Sequence, residues 1–339
     1  MTFQKLVIGT SMAIGVSALA TAPAHAVSFD FNNTAEINTY TGGSNGTFIR
    51  GNAQGGTNAA IKALTDNDPT SNVELWYSSE TPGSNVGFTA KQGNYSATVS
   101  SVTADDWNSF GSQWVGDLLN AYTPFKSVWN GFSVSTQSLI TSSFSSLGIG
   151  DPNIGGFQFG QNGGVELKLV GHLDVKTKLS DTLKDKLNAA YTTPVKLLFG
   201  NKDITQVSVS DVNAKISSLK LLPATSTIQT QIAQLTTFKD LLNFQATLNA
   251  YQGGIGVSEI AKVATGGKTY YAYSFNPTVS GITASDDRLS YSAYYTWKTP
   301  GYTAPTPPSS SVPEPSVILG LLGVAGVFTT RRQLKKASI

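Results

Sequence analysis

From Val165 to Lys176 the chain alternates. Val165, Leu167, Leu169, Gly171, Leu173 and Val175 hold one parity, while Glu166, Lys168, Val170, His172, Asp174 and Lys176 hold the other. Successive side chains of a strand point to opposite sides, so this period of two predicts a strand with one buried and one wet face. The same parity runs through Val73, Leu75 and Tyr77, through Tyr95, Ala97 and Val99, through Tyr271, Tyr273 and Phe275, and through Leu289, Tyr291, Ala293, Tyr295 and Trp297. Short strands of this kind, each with a single apolar face, predict antiparallel sheet.

Helical spacing interrupts the strands. Thr103 with Asp106 three residues on resembles a capping box, and Trp107, Phe110, Trp114, Leu118 and Tyr122 then recur at steps of three and four until Pro124 stops the run. Ser180 is a candidate cap for a shorter helix through Leu183, Leu187 and Tyr191 to Pro194. Ile228, Ile232, Leu235, Phe238, Leu242 and Leu248 form a third stripe, opened after Pro223 and closed by Gly253 and Gly254. Periodicity assigns no state to the Ser-rich segment from Val134 to Leu147. No repeat of fixed length is present and no linker divides residues 27–298, so these read as one α+β domain.

That domain lacks sulfur. The chain has no Cys, and its two Met residues, Met1 and Met12, both precede residue 27. Disulfides, thiol nucleophiles and Cys-ligated metal centres are excluded, and about 285 residues suffice for a core that needs no staples. The overall charge of +2 misleads. Lys5 lies near the N-terminus and Arg331, Arg332, Lys335 and Lys336 lie near the C-terminus. Setting them and Glu314 aside leaves 18 basic against 20 acidic residues, a body near −2. No basic footprint remains, which argues against nucleic-acid binding.

The two ends predict where the body goes. Residues 1–26 place a single charge, Lys5, before an apolar run and close on Ala24-His25-Ala26, the small-x-small pattern of a secretory signal cleavage site. At the other end, residues 299–312 are rich in Pro, Ser and Thr and read as an extended linker. Ser316 to Thr330 follows as 15 uncharged residues. As a helix this is about 22 Å long, short against a hydrocarbon core of about 30 Å. Arg331, Arg332, Lys335 and Lys336 would stay on the cytoplasmic side, leaving the body outside.

Pro313-Glu314-Pro315, the short apolar helix 316–330 with Gly320, Gly323 and Gly326, and the terminal basic cluster together resemble the PEP-CTERM sorting signal of bacterial surface proteins. Residues 313–339 carry the resemblance. It implies recognition by an exosortase, a membrane-embedded cysteine transpeptidase that removes the tail at or near the triplet. The Ser/Thr/Asn-rich, Cys-free body is similar, more loosely, to exported cyanobacterial proteins of this class. The competing reading, a plain membrane anchor, leaves Pro313, Glu314 and Pro315 unexplained.

Catalytic motifs are sparse. Gly42-Gly-Ser44-Asn-Gly46 matches G-x-S-x-G in letters, but polar loop flanks it where a nucleophile elbow needs a strand and a helix. Gly267-Lys268-Thr269 ends like a phosphate-binding loop, yet Lys262 stands where the first Gly belongs, so a turn is expected. His172, on the wet parity with Asp174 two residues on, offers a base and its orienter without a marked nucleophile. Asp66-Asn67-Asp68 through Asn72 spaces oxygen donors as calcium loops do, but lacks the sixth-position Gly and has Tyr77 in place of the closing Glu. No metal or cofactor is expected. Two functions fit: an exported structural or interaction protein of the cell surface or extracellular matrix, or a module that binds or hydrolyses extracellular polysaccharide. The second would use Tyr270 and Tyr294, expected on the exposed parity.

Overall fold

The computed structural model describes residues 26–41, 49–50, 56–68, 71–78, 82–285 and 290–303. The fold is α+β, and every strand pairing is antiparallel.

Two sheets face each other. One has five strands in the order β1 (Ser28–Phe31), β5 (Gly87–Gln92), β6 (Tyr95–Ser100), β10 (Ala261–Thr265) and β11 (Lys268–Ala272). The other runs β12 (Thr278–Ser285), β13 (Ser290–Lys298), β8 (Val165–His172), β7 (Asn153–Phe159), β4 (Asn72–Leu75), β2 (Ile37–Thr41) and β3 (Ile49–Arg50), with β9 (Val257–Ser258) also paired to β8. Between them Val165, Leu167 and Leu169 of β8 meet Phe88, Val99 and Val263 in one core, so the alternation does place its first parity inside. Phe29, Phe88 and Phe157 pack edge to face across the gap at centroid distances of 5.5–5.7 Å. Such pairs add to the area they bury. The short helix α1 (Thr57–Thr65) adds Ala60, Ala63 and Leu64 to this core.

The remaining helices build a second core at one end of the sandwich. The chain leaves β6 for α2 (Ala104–Ala121), α3 (Thr123–Asn130) and α4 (Val134–Ser143) before returning as β7. It leaves β8 for α5 (Lys176–Ala190), α6 (Thr193–Leu198), α7 (Val209–Lys220) and α8 (Ser226–Ala250) before β9 and β10. The ends of β6, β8 and β11 and the starts of β7 and β10 point the same way. Val102, Ile149, Val175, Ile260 and Phe275, next to those ends, therefore join the helical core around Trp114 and Phe238.

Local chemistry explains these boundaries. Thr103 caps α2 in a full capping box with Asp106, as the spacing predicts. Pro124 ends the α2 stripe but also begins α3, because Pro at the first turn sacrifices only an N–H that has no helical partner. Helix α5 starts four residues before Ser180, which is therefore not a cap; its hydroxyl accepts from Gln245 of α8. Helix α8 follows the Ile228–Leu248 stripe. Although it runs 25 residues, no helix among the described residues is long and apolar enough to cross a membrane.

Three strand expectations need correction. β4 ends at Leu75, because Trp76 turns to φ +79°, so Tyr77 lies beyond it and is exposed. β11 ends at Ala272, which leaves Tyr273 and Phe275 in the connection to β12. Its parity also divides differently. Tyr271 stacks on Phe110 of α2 at 3.9 Å, while Tyr270 faces the inter-sheet core beside Trp297. Lys268 and Thr269 at the start of this edge strand are exposed, while its end is covered by helix on one face and by sheet on the other.

The start of the expected linker is packed rather than extended. Thr299 Oγ1 accepts from the Val165 N–H, Tyr302 packs edge-on to Tyr95 at 5.5 Å, and the Tyr302 hydroxyl accepts from the Ser96 N–H at 3.0 Å. The body thus extends to about residue 303.

Candidate functional site

The outward face of the larger sheet carries a trough over β7, β8 and β13. Its cause is Gly155-Gly156, where β7 slips register against β8. A bulge built on glycine bends the strand and leaves two positions without side chains. A Cβ at Gly155 would stand 3.1 Å from Cε1 of Tyr294, so a side chain there would have to push the ring by a few tenths of an ångström. The trough encloses about 110 Å³, bounded by Gln158 and Gly156 of β7, Glu166 and Lys168 of β8, Thr296 of β13, and Asn67 from the loop after α1.

Strand parity sets the charges around it. Glu166 accepts from Lys298 Nζ at 2.9 Å and from the Gln158 amide. Burial favours its neutral form, but these hydrogen bonds and the Lys298 charge prevail and hold the carboxyl below its ordinary range. Lys168 Nζ lies 5.2 Å from the Tyr294 ring centre, a cation–π contact, and has no ion pair among the described residues. Tyr294 itself is only 9% exposed. Its hydroxyl is buried with no hydrogen-bond partner among the described residues. Burial, then the carboxylates of Asp68 and Asp66, push that hydroxyl well above the usual tyrosine range. Asn67, between these two aspartates, lines the trough.

Such walls present an ammonium, a carboxylate, two side-chain amides and a hydroxyl. They can donate and accept hydrogen bonds side by side. Among the described residues Glu166 is the one carboxylate lining the trough and is already engaged, and no nucleophile is paired with a base there.

The sequence candidates fall as follows. His172 is not on a wet face: it is 1% exposed, at the end of β8 where β9 pairs alongside it and the helical core begins. Asp174 does not orient it. Its Oδ1 accepts from the backbone N–H of Lys176 and of Ile255, fixing the start of α5 and the loop that leads to β9. Gly267-Lys268 is a turn, with Gly266 and Gly267 at φ +57° and +74° between paired Thr265 and Lys268, and Lys262 bonds Asp106. In the calcium-like loop, Asp66 Oδ1 accepts from the Asp68 N–H in an Asx-turn, and Asn72 Oδ1 accepts from Asn153 across the sheet. Tyr77 is displaced past the strand. Among the described residues no three His, Asp or Glu side chains gather as a metal site would need.

Tyr270 and Tyr294 are not the exposed aromatics expected of a sugar-binding face. Tyr270 is half-buried against Trp297 and Tyr294 is buried at the trough. Ser44, Ala24, Pro313, Glu314, Pro315, Arg331, Arg332, Lys335, Lys336 and the apolar segment 316–330 lie outside the described residues, and Ala26 is the first residue inside them. Glu166 and Lys168 fall on the wet parity, where nothing in their spacing marks a role. The Gly155-Gly156 pair inside an apolar run was the available signal for a bulge.

No family model matches this chain, and no curated protein or solved structure matches it.

Proposed function

We propose that this chain is an exported protein of the cell surface or extracellular matrix, of structural or interaction type, sorted through its C-terminal signal. The observation that carries the reading is the ordered set Pro313-Glu314-Pro315, apolar segment 316–330 and basic cluster Arg331 to Lys336, opposite a leader that closes at Ala24 and Ala26. An exosortase-type enzyme is the partner this reading requires, with the membrane holding the tail before processing.

The body's geometry suits such a role. Ser28 pairs with Lys91 and Lys298 with Glu166, both at the end of the sandwich away from the helices. Both chain ends thus leave from one side, and a body tethered there presents its helical end outward. A sandwich that needs no disulfide also keeps its stability whatever the redox state outside the cell.

Mass spectrometry of the protein recovered from its native host tests the reading. A mature N-terminus near Val27 and a C-terminus near Pro313 are expected. An intact Ile339 on every recovered molecule would reduce the tail to a plain anchor.

A further inference from the structure

We propose that the trough between β7, β8 and β13 is a binding site for a neutral saccharide, seating one sugar residue against the sheet with its linkages left in solvent. This goes beyond the sorting proposal and stands apart from it, since a chain that kept its tail would bear the same trough.

Hydrogen-bond arithmetic favours a polyhydroxyl ligand. A sugar hydroxyl both donates and accepts, so a vicinal pair is best held by neighbouring groups of both kinds. Along the trough Lys168 supplies only donors, Glu166 only acceptors, and Gln158, Asn67 and Thr296 supply both. Glu166 is fixed by Lys298 and Gln158, and the Lys168 head by the Tyr294 ring, so these groups are in place before a ligand arrives.

Charge balance selects a neutral ligand over an ionic one. The Glu166 charge is offset by Lys298 at 2.9 Å, and Lys168 faces the Tyr294 end where the carboxylates of Asp66 and Asp68 lie. No field of one sign remains to gather an anion or a cation. The floor is backbone at Gly156, which allows close approach of a flat ring face. Beneath this end of the trough the Tyr294 hydroxyl is buried with no hydrogen-bond partner among the described residues, so the ring that holds the Lys168 head is fixed by packing alone.

Affinity electrophoresis of the full-length protein tests this, in gels cast with dextran, β-glucan, mannan or galactan and, as the anionic control, alginate. Retardation by at least one neutral polymer is expected, relieved by its free oligosaccharide. Lys168→Met keeps the stem beside Tyr294 but removes the ammonium. Thr296→Val removes a hydroxyl at nearly constant shape. Gly156→Val fills the floor, where a Cβ has only one neighbour within 4 Å, Lys168 Cβ at 3.5 Å. Lys168→Met should weaken retention about tenfold or more, the loss of one charge-assisted hydrogen bond, Thr296→Val about threefold to tenfold, the loss of a neutral one, and Gly156→Val should weaken it by occupying the floor. Melting temperatures should stay unchanged. Absence of retardation in all neutral gels, retardation by alginate alone, or equal retention of wild type and all three variants would each overturn the proposal.

Discussion

Lys262 Nζ sits 2.6 Å from Asp106 Oδ1, which ties the first turn of α2 to β10, an inner strand of the smaller sheet. The other oxygen of the same carboxylate completes the capping box with Thr103 and accepts from Asn85. One side chain thus serves as helix cap, ion-pair partner and bridge between the helical core and the sandwich. Truncating it would leave Lys262 half-buried without its partner and the helix N-terminus with an orphan donor.

Acid should weaken this junction selectively. Burial pushes the Asp106 carboxyl up, but Lys262, Asn85 and Thr103 pull it down to about 2, from an unperturbed 3.8. A depressed folded-state value means the contribution is complete above the unfolded value and disappears as pH falls from about 4 to about 2. Its size is about 2 kcal/mol. Asp106→Asn should lower the melting temperature at pH 7 and flatten its dependence on pH below 4. Parallel acid profiles for variant and wild type would show that the carboxylate carries no such share.

Tyr302 supplies a second test. Its ring closes over Tyr95 and its hydroxyl exchanges hydrogen bonds with the Ser96 backbone at the end of the sandwich where both termini leave. A body comprising residues 27–303 should melt as a soluble monomer, unaffected by reductant. A body stopped at Lys298, or carrying Tyr302→Ala, should lose about 2 kcal/mol. Equal urea midpoints for the two lengths would return residues 299–303 to the linker.

What could be read from the chain divides along physical lines. Contacts made within a few residues were legible: the Thr103 capping box, the Ile228–Leu248 stripe, and the inward parity of Val165, Leu167 and Leu169. Contacts made across the chain were not. Helix α4 has a weak apolar face of its own. Its N-terminus is secured by Asp240 of α8, whose Oδ2 accepts from the Ser133 N–H and the Thr136 hydroxyl at 3.0 Å. Tyr294 reads as exposed because the parity rule assumes a bare outer face, whereas its ring is buried over Gly155 and beside the Lys168 side chain. The trough depends on a bulge, and a bulge is a mismatch between two strands rather than a property of either.

His172 turns from a surface candidate into a core residue. At 1% exposure, with its carbonyl accepting from the Tyr295 hydroxyl, it belongs to the packing between β8, β9 and β13. His172→Ala should cost about 2–3 kcal/mol through the cavity it leaves. A change of less than about 0.5 kcal/mol in urea denaturation, the scatter of surface substitutions, would argue against this packing role.

The tail offers the sharpest separation of alternatives. If a processing enzyme reads the triplet, replacing Pro313, Glu314 and Pro315 with Ala should leave export intact and trap a longer, membrane-bound form. The apolar segment and its basic stop remain, so the body still crosses and the tail still holds it. Neutralising Arg331, Arg332, Lys335 and Lys336 should act differently. About 15 apolar residues without stop charges anchor poorly, so full-length protein should appear in soluble extracellular fractions. Fractionation of the native host followed by immunoblotting distinguishes the two. A triple-Ala variant that matures to the same length as wild type would remove the triplet from the processing step, leaving the basic cluster to act as a stop for an anchor alone.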